Sequence, residues 1–180
     1  MRILKDRSCL LVIDCQEKIF PFIHAHEQLL KNVLVVINGL KALEVPVIVT
    51  EQYTKGLGPT LAPIAEALGD IRRIEKASFS CCDEPGFNLH LATLGKENVI
   101  ITGIESHVCV LQTVVDLARQ GYQSVVVEDC ISSRKPNDKL IALERMKKEG
   151  AIITTYESIL FELLRKSGGE TFKTISKLVK

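Results

Sequence analysis

The sequence predicts a three-layer α/β fold, and three observations lead there. Six short runs rich in Val and Ile alternate with longer segments of helical period along the whole chain. The runs are continuously apolar rather than alternating, as strands buried on both faces must be. Helices between successive strands return the chain to the same sheet edge, which gives a parallel sheet with helices on both sides. No repeat, low-complexity tract or long linker breaks the pattern, so one domain over residues 1–180 is expected.

CLLVID (9–14) reads as the first strand, followed by the helix HEQLLKNVLVVINGLKAL (26–43). PVIVT (46–50) is the second strand, with LAPIAEALG (61–69) as the next helix, ending on Gly as helices commonly do. IRRIEK (71–76) and the helix GFNLHLATLG (86–95) come next, then NVIITGI (98–104) and HVCVLQTVVDLARQG (107–121). SVVVED (124–129), the helix NDKLIALERMKKEG (137–150), AIITTY (151–156) and ESILFELLRK (157–166) follow. TFKTISKLVK reads as an amphipathic final helix with a solvated basic face.

The chain has 46% hydrophobic and 25% charged residues, and no apolar stretch reaches the length of a membrane span. Its formal net charge is +1 with both signs interspersed, which excludes the electrostatic footprint of a nucleic-acid binder. A small-molecule partner is expected instead. The N-terminal MRILKDRSCLLVID lacks the apolar core and cleavage site of a secretory signal, so a cytoplasmic location is expected. Its six cysteines are scattered through strand-like and helix-like segments and read as reduced thiols.

In parallel α/β sheets function gathers at the carboxyl ends of the strands. Those ends carry Asp14 and Gln16, then Glu51, Gln52 and Tyr53, then Lys76, then the run Glu105–Cys109. Asp14 closes an apolar strand, where a carboxylate needs a nearby cation to stay ionised; it is a general-base candidate or, equally, a capping carboxylate. Lys76 could supply that cation and hold a thiolate, although a lysine at a strand end is usually solvated. Cys109 falls in the first turn of a helix with Ser106 as N-cap, a position that favours a thiolate and offers N–H groups to an oxyanion. The bland reading of that cysteine is a small apolar packing residue. Neither His24 nor His26 is accompanied by a carboxylate–histidine cluster, so no metal site and no cofactor are expected. His107 is at most pocket-lining, because a two-residue spacing on a helix directs it away from Cys109.

Taken together, LLVIDCQEK, VIVTEQYTKGLGPT, IEKASFSC, VIITGIESHVCVLQT, VEDCISSRKPND and LERMKKEGAIITTYESILFELL resemble the isochorismatase-like, or cysteine hydrolase, family over nearly the whole chain. The TEQYTKGLGPT segment is similar to its small hydrolase branch. The resemblance implies a six-stranded parallel sheet of order 3-2-1-4-5-6, with Asp14, Lys76 and Cys109 at the catalytic positions. It also implies a cis peptide between Ile104 and Glu105, turning the Glu105 N–H toward that of Cys109 to form an oxyanion hole. With the third and fourth strands roughly 14 Å apart, Lys76 is expected to join the others through a loop folding back over the sheet edge. The family's aromatic pocket position is Ile19 here, leaving Phe20 as a candidate wall, with Gln16, Glu51, Gln52, Tyr53, Ile104 and His107 as further pocket candidates. The metal-binding residues of nicotinamidases are replaced by EQYTKGLG.

The activity implied is cysteine-dependent hydrolysis of a small amide or carbamoyl compound through a thioester. Vinyl-ether hydrolysis, which needs no thiol, and a catalytically idle oligomeric scaffold or ligand-binding protein are the alternatives. A homo-oligomer is expected, because HVCVLQTVVDLA is apolar on more than one face unless the final helices cover it. If the Cys109 environment is as read, this thiol is the most acidic of the six and alkylation at neutral pH, mapped by mass spectrometry, finds it first.

Overall fold

The computed structural model describes residues 1–180. Six strands, β1 (Ser8–Ile13), β2 (Val47–Gln52), β3 (Arg73–Lys76), β4 (Asn98–Ile104), β5 (Gln123–Ser132) and β6 (Ile152–Thr154), form one sheet of order β3-β2-β1-β4-β5-β6. Every strand pair is parallel. The fold class is the one expected from the sequence pattern, and the strand order is the one that the family resemblance implied.

Side chains alternate across each strand, so the continuously apolar β1 feeds two cores. Leu10 and Val12 pack with α1 (His26–Ala42), α3 (Ala62–Leu68), α7 (Tyr156–Leu164) and α8 (Gly169–Leu178). Cys9, Leu11 and Ile13 face α4 (Pro85–Leu94), α5 (Leu111–Arg119) and α6 (Pro136–Lys148). A short α2 (Thr54–Leu57) lies in the loop after β2. The apolar surface of α5 is met within the chain by α6 and by the turn at Cys81–Asp83, whose Cys81 N–H donates to Thr113 Oγ1 at 3.0 Å. Helices α7 and α8 lie in the other core, so the reason given for expecting an oligomer does not hold: that helix has no spare apolar face.

Two strands run further than their apolar runs indicated. β2 continues through Glu51 and Gln52 because β3 keeps pairing with it, Gln52 opposite Lys76. β5 extends to Ser132 through a register shift against β4, where Ile101 faces Val126 but Gly103 faces Ile131. The Thr102 hydroxyl donates to the Cys130 carbonyl at 2.6 Å inside this irregular stretch and satisfies a backbone group that the ladder leaves out.

Gly103 is the tightest point of the central sheet. Its φ is +145°, and a Cβ there would lie 2.4 Å from the Ile13 carbonyl oxygen. Only glycine fits such a backbone at such an approach. Gly103→Ala is therefore expected to destabilise the protein by about 2–4 kcal/mol in urea unfolding; a change below about 0.5 kcal/mol would mean that the backbone relaxes freely.

Candidate active site

The site begins with a stagger at the carboxyl edge of the sheet. β1 ends at Ile13, opposite Thr50 on one side and Gly103 on the other, while β2 and β3 run on to the Gln52–Lys76 pair. Asp14 leaves the strand with a left-handed φ of +53°. β3 and β1 are two strand spacings apart, roughly 10 Å, and the Asp14 and Lys76 side chains together close that gap over β2. Lys76 Nζ lies 2.7 Å from Asp14 Oδ2, with both side chains almost wholly buried.

The ammonium is also held at 2.6 Å by Gln52 Oε1 and at 3.0 Å by the carbonyls of Ser78 and Phe79. The loop after β3 therefore does not carry Lys76 across the edge as expected; it folds over the ammonium and supplies carbonyl acceptors. Glu84 pins that loop, its Oε1 accepting from the backbone N–H of Ala77 at 3.0 Å and from Ser78 N–H and Oγ at 3.1 and 2.6 Å. These bonds, first among them that from the Ser78 hydroxyl, hold the Glu84 carboxyl below its usual range.

Asp14 Oδ1 accepts from Thr50 Oγ1 at 2.8 Å. Cys109 Sγ completes the group, 3.7 Å from Lys76 Nζ and 3.8 Å from Gln52 Oε1. The Gln52 amide is fixed in this sense because its Nε2 donates to the Ala77 carbonyl at 2.8 Å.

Burial and the opposing pull of its partners decide the protonation states. Burial alone lowers the Lys76 value, but its pairing with the Asp14 charge, helped by Cys109 and Cys81 where these ionise, outweighs it, so the value rises above its ordinary 10.5. The contribution of the Lys76 charge to stability is therefore fully present below 10.5 and is lost as pH rises through the higher folded value.

Burial, followed by the Asp14 charge, pushes the Cys109 thiol well up, and Lys76 offsets only part of this. The resting group is a thiol beside a carboxylate, which corrects the expectation of an acidic Cys109. Residues Ser106–Val110 form a π turn whose N-cap is Glu105 rather than Ser106, without a capping side chain, ahead of α5. The turn runs directly into α5, and burial beside the Asp14 carboxylate outweighs whatever this helix start lends the thiolate. The buried Cys9, Cys81 and Cys82 are likewise pushed up to about 12 by desolvation.

The Ile104–Glu105 peptide is trans, contrary to the cis bond that the resemblance implied. The turn is made instead by soft dihedrals: Glu105 is left-handed at φ +55°, after the positive φ of Gly103. Its carbonyl accepts from Val108 N–H at 2.8 Å and Val110 N–H at 3.4 Å. Arg134 grips the Glu105 carboxylate with two nitrogens, each at 3.1 Å.

A cavity of about 100 Å³ opens over this group, lined by Asp14, Gln52, Glu105 and Cys109 together with Ile19, Leu57, Phe79, Ile104 and Val108. Of the pocket candidates read from sequence, Gln52 and Ile104 line it and the others do not. Gln16 is fully buried and bonds Gly58 O at 2.6 Å and the Gln52 backbone at 2.9 and 2.7 Å, tying the 53–61 loop to β2. Glu51 anchors the same loop through Thr60 N–H and Oγ1 at 2.8 and 2.6 Å. Phe20 belongs to the core around α1, and Tyr53 is exposed. His107 turns toward Ser133 Oγ at 3.0 Å and Asp138 at 3.8 Å. Thr50, Phe79, Glu84 and Arg134 were not singled out from sequence; only Thr50, at the strand end beside Asp14, carried a readable signal.

Removing the ammonium should expose the cost of the buried carboxylate: Lys76→Met is expected to lose about 3–5 kcal/mol of stability in urea unfolding, and an unchanged midpoint would contradict the pairing. For the thiol, the rate of iodoacetamide labelling at Cys109 should keep rising from neutral pH to about 10. A plateau near neutral pH would mean that the thiolate is already formed at rest.

The isochorismatase domain model matches residues 8–158. Isochorismatase family protein 1B of Dictyostelium discoideum is 38% identical over 184 residues, covering 99% of this chain and 89% of that protein. The solved MAR1 ribonuclease of Caenorhabditis elegans is 38% identical with a TM-score of 0.93, covering 99% of this chain and 92% of that one. The YcaC gene product of Escherichia coli, described as an octameric hydrolase of unknown specificity, shares the fold with a TM-score of 0.94 at 22% identity, covering 99% and 89% of the two chains. The extent of these matches, on a sheet of the order that the sequence pieces implied, assigns the chain to the isochorismatase-like (cysteine hydrolase) family.

Proposed function

We propose that the protein is a cysteine-dependent amidohydrolase acting on a small amide or carbamoyl compound, with Asp14, Lys76 and Cys109 as its catalytic set. The observation that carries this reading is the buried ion pair set against a thiol: Lys76 Nζ lies 2.7 Å from Asp14 and 3.7 Å from Cys109 Sγ. Asp14 accepts the thiol proton as Cys109 attacks the carbonyl carbon, and Lys76 compensates the negative charge passing between carboxylate and sulfur. The backbone N–H groups of Glu105 and Cys109 are the donors we assign to the oxyanion. Collapse of the tetrahedral intermediate breaks the C–N bond, Asp14 returning its proton to the leaving nitrogen. Water then gives a proton to Asp14 and adds to the thioester carbonyl. The C–S bond breaks, the acid leaves, and the thiol is restored by that proton.

Vinyl-ether hydrolysis needs only the acid and leaves Cys109 without work, so the amide reading is preferred. The relative described as a ribonuclease makes RNA a necessary control, although Lys76 is committed to internal acceptors and no lysine or arginine lines the cavity. The unit of this reading is one domain spanning residues 1–180. The six unpaired thiols suit a reducing, cytoplasmic compartment, and no helix is long and apolar enough to cross a membrane. A homo-oligomer remains our reading, supported by exposed Phe22, Leu140 and Ile141 and by the relative described as octameric.

Ammonia release from a panel of small amides and carbamoyl compounds, with RNA cleavage assayed alongside, tests the proposal. Cys109→Ala and Asp14→Asn are each expected to lower amide turnover by at least about 10³-fold while retaining the fold by circular dichroism. Amide turnover that survives in Cys109→Ala would refute the mechanism.

A further inference from the structure

Resting on the reading of Cys109 as nucleophile, we infer that the pocket selects a small, uncharged amide with a short aliphatic group and rejects substrates that carry a carboxylate. Each ionised group at the pocket is already matched by a partner within the protein. Lys76 has three protons and is met by the Asp14 carboxylate at 2.7 Å, Gln52 at 2.6 Å and two carbonyls at 3.0 Å, with no solvent exposure of its side chain. It has nothing left to offer a substrate anion. The Glu105 carboxylate is held by both nitrogens of its Arg134 fork, each at 3.1 Å.

Apart from the two backbone N–H groups assigned to the oxyanion, what remains free in the wall is apolar. Ile19, Leu57, Phe79, Ile104 and Val108 supply most of the lining, and Gln52 has both ends of its amide engaged. A carboxylate entering here would lose its hydration, find no cation, and face the oxygens of Asp14 and Glu105. An aliphatic group gains by burial instead. At about 100 Å³ the space is smaller than the ~150 Å³ cavity that admits benzene, so the acyl group should be a short chain rather than a ring.

Two alkylating agents of similar size and opposite suitability test this without requiring turnover. Iodoacetamide is neutral and iodoacetate is an anion; with either, the Cys109 thiolate forms a C–S bond as iodide leaves with the C–I electron pair. The iodoacetamide-to-iodoacetate rate ratio at Cys109, measured by peptide mass spectrometry, is expected to exceed that of glutathione in the same buffer by at least about tenfold. A ratio equal to or below that of glutathione would overturn the charge exclusion. Glu105→Gln frees the Arg134 guanidinium and should move the ratio toward the glutathione value; an unmoved ratio would contradict the charge balance argued here. Isobutyramide should release ammonia, whereas succinamate and benzamide should not. Turnover of succinamate at a comparable rate would sink the specificity while leaving the nucleophile reading intact. A Cys109 inert to both reagents would remove that reading and this one together.

Discussion

The buried Asp14–Lys76 ion pair is the constraint on which the rest of the site depends. Either ion alone, at this depth, would cost several kcal/mol to desolvate. Together they are tolerable because their attraction is supplemented by hydrogen bonds, from Thr50 to one carboxylate oxygen and from the ammonium to Gln52 and two loop carbonyls. That requirement explains why β2 and β3 run past the end of β1 and why the loop after β3 is pinned by Glu84. The thiol sits where both ions reach it, so its protonation is tied to theirs.

Backbone geometry supplies the second half of the arrangement. Gly103 lets β4 press against the Ile13 carbonyl, and the left-handed turn at Glu105 then sends the chain into the π turn that carries Cys109. Arg134 holds this turn from outside through the Glu105 side chain. Non-glycine residues in left-handed conformations cost of order 1–3 kcal/mol and persist where surrounding contacts hold them. Six non-glycine residues have positive φ in this chain, and two of them, Asp14 and Glu105, border the cavity.

Most of the fold was legible because it rests on periodicity: buried parallel strands and amphipathic helices leave their pattern in sequence. The three candidate residues Asp14, Lys76 and Cys109 were legible because they end strands or open a helical turn. What sequence could not supply were distances and burial. The position of Cys109 near a helix start suggested an acidic thiol, yet burial and the neighbouring Asp14 charge outweigh that position. Gln16 and Glu51 occupy strand ends like Asp14 but spend their hydrogen bonds on the 53–61 loop. Arg134 and Phe79 come from loops whose course follows from tertiary packing, so no local pattern marks them. The peptide before Glu105 shows the limit of resemblance, since a turn of the same kind is made here by φ and ψ rather than by a cis bond.

Detection of a covalent acyl-enzyme tests the central claim most directly. The protein is mixed with a small amide that it turns over, quenched in acid during steady state, and mapped by peptide mass spectrometry. The account predicts one acyl group per chain, on the peptide containing Cys109, and none in Asp14→Asn. Turnover with no adduct on Cys109, or an acyl group on any other residue, would contradict it.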